Sequence, residues 1–269
     1  MQRLALTRTL VVVFGLAYVL VRLPYFADLS SHSFSDLHAV GVVTLVGDVL
    51  PLWLTWTLAM LTVVSGVAFL RGRFARVSGV VFFLTLLWIT TYRSSFGKIL
   101  HSENLLVLHV GILALSSFLR DAERWTLRTM SIATVLTYVV AGVSKLRAGG
   151  VAWLTGRALG DWLAFDAVRK IELGSFHSPA AGWLATTPIL CGVFAIFTLA
   201  VELGAPIALV SPRTARIWTA LAWAFHLGIL ATMAIGFFYP LTGIAFASLL
   251  ELERFPRLVR VARKISGSP

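Results

Sequence analysis

Residues 49–70 read VLPLWLTWTLAMLTVVSGVAFL, a stretch without one charged side chain. A helix that crosses the hydrocarbon core of a bilayer needs about 20 mostly apolar residues, and this stretch meets that requirement. The rest of the chain agrees with it. Of 269 residues, 58% are hydrophobic and 13% charged, which is too apolar for a water-soluble domain. Uncharged windows recur along the whole length, so the membrane domain is the protein rather than an anchor for a soluble core.

Working outward, residues 189–210 (ILCGVFAIFTLAVELGAPIALV) form a second clear span, and shorter or interrupted ones cover 5–23, 77–92, 104–119 and 129–145. The apolar stretch 217–250 is too long for one crossing, and GFFYP at 236–240 breaks it into two helices, the second short. The expected fold is all-α, a polytopic transmembrane helix bundle of about eight spans, with six or seven as alternatives. LVRLPYFADLSS at 20–31 carries no small-residue cleavage pattern, so the first helix is expected to be retained. The expected division is a transmembrane domain over 1–250 and a basic cytoplasmic tail over 251–269. Localisation is expected in the plasma membrane, as a multi-pass protein with the lipid bilayer as its first partner.

Charge orients the bundle. With the N-terminus inside, 15 of the 23 Lys and Arg residues fall on inner segments and 8 on outer ones, and the first outer loop, 24–48, carries Asp28, Asp36 and Asp48 with no basic residue. This bias predicts N-in and C-in. The same short clusters explain the net charge of +11 without nucleic acid, which is not expected as a partner. A single cysteine, Cys191, excludes an internal disulfide and a thiolate cluster, and no metal site is expected.

The outer segment 146–188 contains VAWLTGRALGDWLAFDAVRKIEL, where Trp153, Leu159, Trp162, Leu163 and Phe165 alternate with Arg157, Asp161, Asp166 and Arg169. An amphipathic interfacial helix over 150–173 is the expectation. Its Gly156-to-Gly160 spacing suggests close helix packing.

Polar residues mark the rest. KILHSENLLVLH at 98–109 sets Lys98, His101, Ser102, Glu103 and Asn104 at the start of one span. Lys145 closes the next in YVVAGVSKLRAGG, so His101 and Lys145 can meet at the outer face. Deeper, Glu202 lies about 20 Å down its span and His226 about 14 Å up from the inner side. Those depths overlap in a core of about 30 Å, so a Glu202–His226 contact is allowed. Intramembrane ionisable groups usually face the bundle interior or a wet cavity. The bland readings are snorkelling boundary residues for Arg93, Lys98 and Arg147, a packing or hydrogen-bonding role for His109, and a structural clasp for Glu202 with His226. No metalloprotease, phosphate-loop, nucleophile-elbow or dinucleotide motif is present.

The order LHSENLL (100–106), AGVSKL (141–146), AWLTGRAL (152–159) and FHLGILATMAIGFF (225–238) resembles the membrane domain of vitamin K-dependent gamma-carboxylase and its bacterial relatives with the horizontally transferred transmembrane (HTTM) domain. The resemblance covers most of the chain, so 1–250 looks HTTM-like. It implies that Lys145 is the base that activates a reduced quinone, menaquinol or vitamin K hydroquinone, and that His101 and His226 match the family's histidines. Glu202, Glu103 and Asn104 are supporting candidates and Trp153 a cofactor-binding one. In the carboxylase the resulting strong base removes a proton from a glutamate and carbon dioxide adds. Here Ser144 stands where the carboxylase doubles its lysine, and no counterpart of its lumenal peptide-binding domain is seen, so peptide carboxylation is not expected to follow.

The leading expectation is therefore quinol-linked proton abstraction, a carboxylase-like lyase chemistry, on a lipid-soluble or extracytoplasmic substrate, with Glu202 orienting His226. Two alternatives stand beside it. One is a non-catalytic membrane factor for maturation or export of, or immunity to, a secreted peptide. The other is a lipid or small-solute transporter that uses Glu202 and His226 as a proton-coupled pair.

Overall fold

The computed structural model describes residues 2–97 and 103–266, so Lys98 and His101 lie outside the described residues. All regular structure among them is helical, apart from an isolated bridge between Leu37 and Phe96. In chain order the helices are α1 (Gln2–Val21), α2 (Leu23–Leu29), α3 (Leu52–Leu70), α4 (Ala75–Ser94), α5 (Asn104–Ser116) and α6 (Glu123–Gly149). Next come α7 (Val151–Leu154), α8 (Arg157–Glu172), α9 (Pro179–Ala185), α10 (Pro188–Leu203), α11 (Pro212–Met233), α12 (Phe238–Leu241) and α13 (Pro256–Ser266).

Helices α1, α3, α4 and α6 are long and apolar enough to cross a membrane, and the α9–α10 pair adds a fifth if its two arms count as one span. That pair bends by 105°, at the step where Pro188 removes a backbone donor and forces Thr187 out of the helical region. Helix α5 has 13 residues and covers about 20 Å, short of the hydrocarbon thickness. Helix α11 has 22 residues, opened by Pro212 and a reciprocal Ser211–Thr214 capping box, but Arg213, Arg216 and His226 lower its apolarity.

The short eighth helix expected before residue 250 is not there. GFFYP does break the chain: α11 stops at Met233, with Ala234 left-handed at φ +50°. Beyond it the chain forms the four-residue α12, a 3-10 turn at Ile244–Phe246 and further turns. Pro240 and the positive φ of Gly243 prevent a continuous helix. This segment is nevertheless buried at Tyr239, Pro240, Ala245, Phe246, Ala247 and Leu249. Hydroxyls on α6 meet its polar groups: Thr134 donates to the Ala245 carbonyl at 3.2 Å and Ser131 to the Ser248 hydroxyl at 3.1 Å. Hydropathy alone reads such a buried run of turns as a span.

The chain forms two compact units, Met1–Met130 with Glu251–Pro269, and Ser131–Leu250. In the first, α1, α3, α4 and α5 pack around Phe69, Phe82, Leu86, Leu106 and Leu113, all essentially inaccessible. His109 is fully buried on α5, and its Nε2 contacts the Met130 carbonyl at 3.3 Å, the packing and hydrogen-bonding role expected of it.

In the second unit α7 and α8 occupy the expected amphipathic segment. Their exposed residues are mixed: Trp162, Phe165, Val168 and Ile171 are exposed together with Arg157 and Asp161, while Asp166 is buried. Asp166 pairs with Lys170 at 2.7 Å, and Lys170 also donates to the Met233 carbonyl at the end of α11. Asp166 and Lys170 thus serve the interior, with Lys170 capping a helix C-terminus whose carbonyls lack intrahelical partners. The glycine spacing does mark close packing, since a Cβ on Gly156 would lie 2.2 Å from the Gly192 nitrogen of α10.

Candidate functional site

Two polar clusters contain the described site candidates. The first belongs to the first unit. Arg93, at the end of α4, donates to Glu103 at 2.8 Å and to the Tyr18 hydroxyl at 3.1 Å. Arg22 lies 3.9 Å from the same Glu103 oxygen and stacks over the Tyr18 ring at 4.4 Å. The Arg93 side chain is only 13% exposed, so it is not a snorkelling boundary residue but half of a buried ion pair. Glu103 is thus held by Arg93 of α4 and by Arg22, which follows α1. Asn104, one residue on, is exposed at the first position of α5.

The second cluster lies in the second unit, on α6, α10 and α11. On α6, Tyr138, Gly142 and Lys145 recur at i, i+4 and i+7, which sets them along one helix face. On α10, Cys191, Ala195, Leu199 and Glu202 are buried along one stripe, and on α11 Ala215, Trp218, Ala222 and His226 do the same. At Gly142 the two helices close in: a Cβ there would stand 3.0 Å from Glu202 Cβ. One turn further along α6, Lys145 Nζ donates to Glu202 Oε1. The glutamate side chain is 3% exposed and the lysine 26%. Lys145 Nζ also lies 5.7 Å from the centre of the buried Trp153 ring, a cation–π distance.

His226 does not meet Glu202. Its Nε2 shares a 2.7 Å hydrogen bond with the Tyr138 hydroxyl, and no hydrogen bond or ion pair joins it to Glu202 among the described residues. The expectation that Glu202 orients His226 is corrected: Tyr138 holds the ring, and Glu202 is taken by Lys145. Depth along a span gives a level but no azimuth, so two residues at one level can face different partners. The two pairs are joined through α6, which presents Tyr138 to His226 and, two turns on along the same face, Lys145 to Glu202, so the four form one cluster. Trp218 packs edge-on against Tyr138 at 4.9 Å and Phe237 lies 5.1 Å from His226.

Two valences in this cluster stay open. Glu202 Oε2 and His226 Nδ1 are buried and have no hydrogen-bond partner among the described residues. Buried polar atoms are ordinarily paired, so two open ones in one cluster call for a water or a polar ligand. Where Tyr138 donates to Nε2, Nδ1 is left as an N–H donor; where Nε2 donates, Nδ1 is an acceptor. The cluster offers a carboxylate oxygen and an imidazole nitrogen beside a cation and a set of aromatic faces.

Sequence reasoning names Lys145, Glu202, His226 and Trp153 and misses Tyr138. The signal is present, because Tyr138 lies two helical turns before Lys145 on the same face. Replacing Tyr138 by phenylalanine strips a buried imidazole of its partner and should cost about 2 kcal/mol of stability. Chemical unfolding in detergent checks this, and a change below about 0.5 kcal/mol would show that the bond is not made.

Compared with known proteins, the chain matches no family model, no curated protein and no solved structure. Fold and site define the class on their own: an all-helical protein with at least four helices long and apolar enough to cross a membrane among the described residues, and a Lys–Glu pair with a buried carboxylate in its second unit.

Proposed function

We propose that this is a multi-pass plasma-membrane protein, N-in and C-in, that carries out quinol-linked proton abstraction at Lys145, Glu202 and His226, in the manner of the HTTM and gamma-carboxylase family it resembles. The observation that carries the reading is the buried carboxylate of Glu202, with one oxygen ion-paired to Lys145 and the other open.

The residues fit a reduced quinone. Trp153, beside Lys145, supplies a flat apolar face for a ring, and Glu202 Oε2 is an acceptor suited to a phenolic hydroxyl. A reduced quinone, when bound, would supply an acidic hydroxyl and two stored electrons. Glu202 Oε2 would be the proton acceptor, and the Lys145 ammonium at Oε1 would offset the negative charge that proton transfer creates beside it. In this arrangement the base is the pair rather than Lys145 alone. Tyr138 and His226 form a second proton-exchanging couple through the 2.7 Å bond, with Nδ1 as its free end.

The test is reconstitution into liposomes with menaquinol or vitamin K hydroquinone and oxygen, followed by chromatography of the quinone products. Wild type is expected to generate an oxidised or epoxide product, and Lys145→Ala and Glu202→Gln to lower its rate about 100-fold, the low end of acid–base contributions. Wild type without product, or product that ignores both substitutions, overturns the proposal.

A further inference from the structure

Helix α13, Pro256–Ser266, has the sequence PRLVRVARKIS, basic at Arg257, Arg260, Arg263 and Lys264 and without an acidic residue. At 100° per residue, Leu258, Val261 and Ile265 fall within a 60° arc of the helix, and Arg257, Arg260 and Lys264 fall outside it. The apolar arc is not covered by protein: Leu258, Val261 and Ile265 are 41%, 53% and 44% exposed. Within the first unit α13 packs against α1, and Glu253, just before α13, lies 3.9 Å from Arg3 in the first turn of α1. Helix α1 is one of the membrane-length helices, and its first two turns carry Arg3 and Arg8, so α13 starts at the basic end of a span.

We infer that α13 is an interfacial helix that lies on the leaflet at the N-terminal end of α1 and recognises anionic phospholipid headgroups. Leu258, Val261 and Ile265 enter the acyl boundary, while the flanking arginines and lysine stay level with the phosphates. Basic flanks beside an exposed apolar stripe are the composition such a surface selects. The alternative occupant, α13 of a second copy, would bring two uniformly basic helices together, and like charge opposes that. This inference is independent of the chemistry proposed for the second unit.

The experiment uses the full chain with Cys191→Ser and one nitroxide label at a time, at Val261→Cys, Ile265→Cys or Arg260→Cys, in nanodiscs of phosphatidylcholine with or without phosphatidylglycerol. With phosphatidylglycerol, labels at 261 and 265 are expected to be severalfold more accessible to oxygen than to a water-soluble nickel complex, and the label at 260 to show the reverse. Omitting phosphatidylglycerol, or combining Arg257→Gln with Lys264→Gln, should shift the label at 261 severalfold toward water. Equal immersion in both lipid mixtures overturns the recognition of anionic headgroups. Uniform water exposure overturns membrane contact, and spin–spin broadening between copies assigns the face to a second chain instead.

Discussion

Lys145→Ala is expected to destabilise the second unit by roughly 3 kcal/mol, as does loss of one partner from other buried ion pairs. The loss comes from the partner left behind: Glu202, 3% exposed, would keep one open oxygen and gain another. Removing both charges together removes that penalty. The double variant Lys145→Leu, Glu202→Leu should therefore recover most of the lost stability, because apolar replacements of buried pairs are often neutral or stabilising. It should recover none of the proposed proton abstraction. Unfolding of wild type, Lys145→Leu, Glu202→Leu and the double variant in one detergent forms a complete double-mutant cycle. A coupling energy below about 0.5 kcal/mol would mean that the pair is not formed in the folded protein. If the double variant stays as unstable as the singles, the cost lies in packing rather than in an orphaned charge. Activity of the restabilised double variant then separates a structural clasp from a working site: a clasp has no activity to lose, whereas a working site loses its activity even though stability is regained.

Gly156→Ala should have a still larger effect, above about 4 kcal/mol, in the range reserved for specific failures of packing or backbone. Gly156 precedes α8 with φ +78° and ψ −4°, a left-handed conformation that costs an L-residue about 1 kcal/mol. The larger part is steric. The new Cβ would sit 2.2 Å from the Gly192 nitrogen and 2.5 Å from the Cys191 carbonyl carbon, and backbone on α10 has no rotamer by which to move aside. Gly243 provides a matched control, with φ +77°, ψ −9° and open space where a Cβ would go. Gly243→Ala should cost only the backbone strain of about 1 kcal/mol. Comparable thermal shifts for the two alanine variants would show that Gly156 and α10 are not in backbone contact.

The helical class and the first spans were legible because nothing competes with them: long uncharged runs at 49–70 and 77–92, and the apolar run at 5–23 with few charges, correspond to α3, α4 and α1. The chain break at GFFYP was legible too, from its Gly and Pro. The buried turns beyond it were not, since apolar residues packed in turns and apolar residues in a span have the same hydropathy. The polar pairings were harder again. Lys145, Glu202 and His226 stand out as costly residues in oil, but which of them touch depends on helix rotation, and the partner that decides it, Tyr138, is unremarkable by composition. Asp166 and Arg93 show the converse error. Each looks like a residue seeking water at an interface, and each is satisfied internally, by Lys170 and by Glu103. In lipid the cheap direction for a charge is inward whenever a partner waits there.

Helix α6 runs for 27 residues, about 40 Å at helical rise, against a hydrocarbon core of about 30 Å. The excess is polar, however: Glu123, Arg124 and Arg128 lie at one end and Lys145 and Arg147 at the other, and the uncharged stretch between them, 129–144, covers only about 24 Å. A stretch shorter than the core is accommodated by a thinner bilayer or by flanking side chains that reach for the surface. Lys145 sits at one end of that stretch, so its depth below the headgroups varies with the lipid it is embedded in. Acyl-chain length becomes a control knob for how far this amine lies from water, and rates measured in thin and thick bilayers belong to different settings of it.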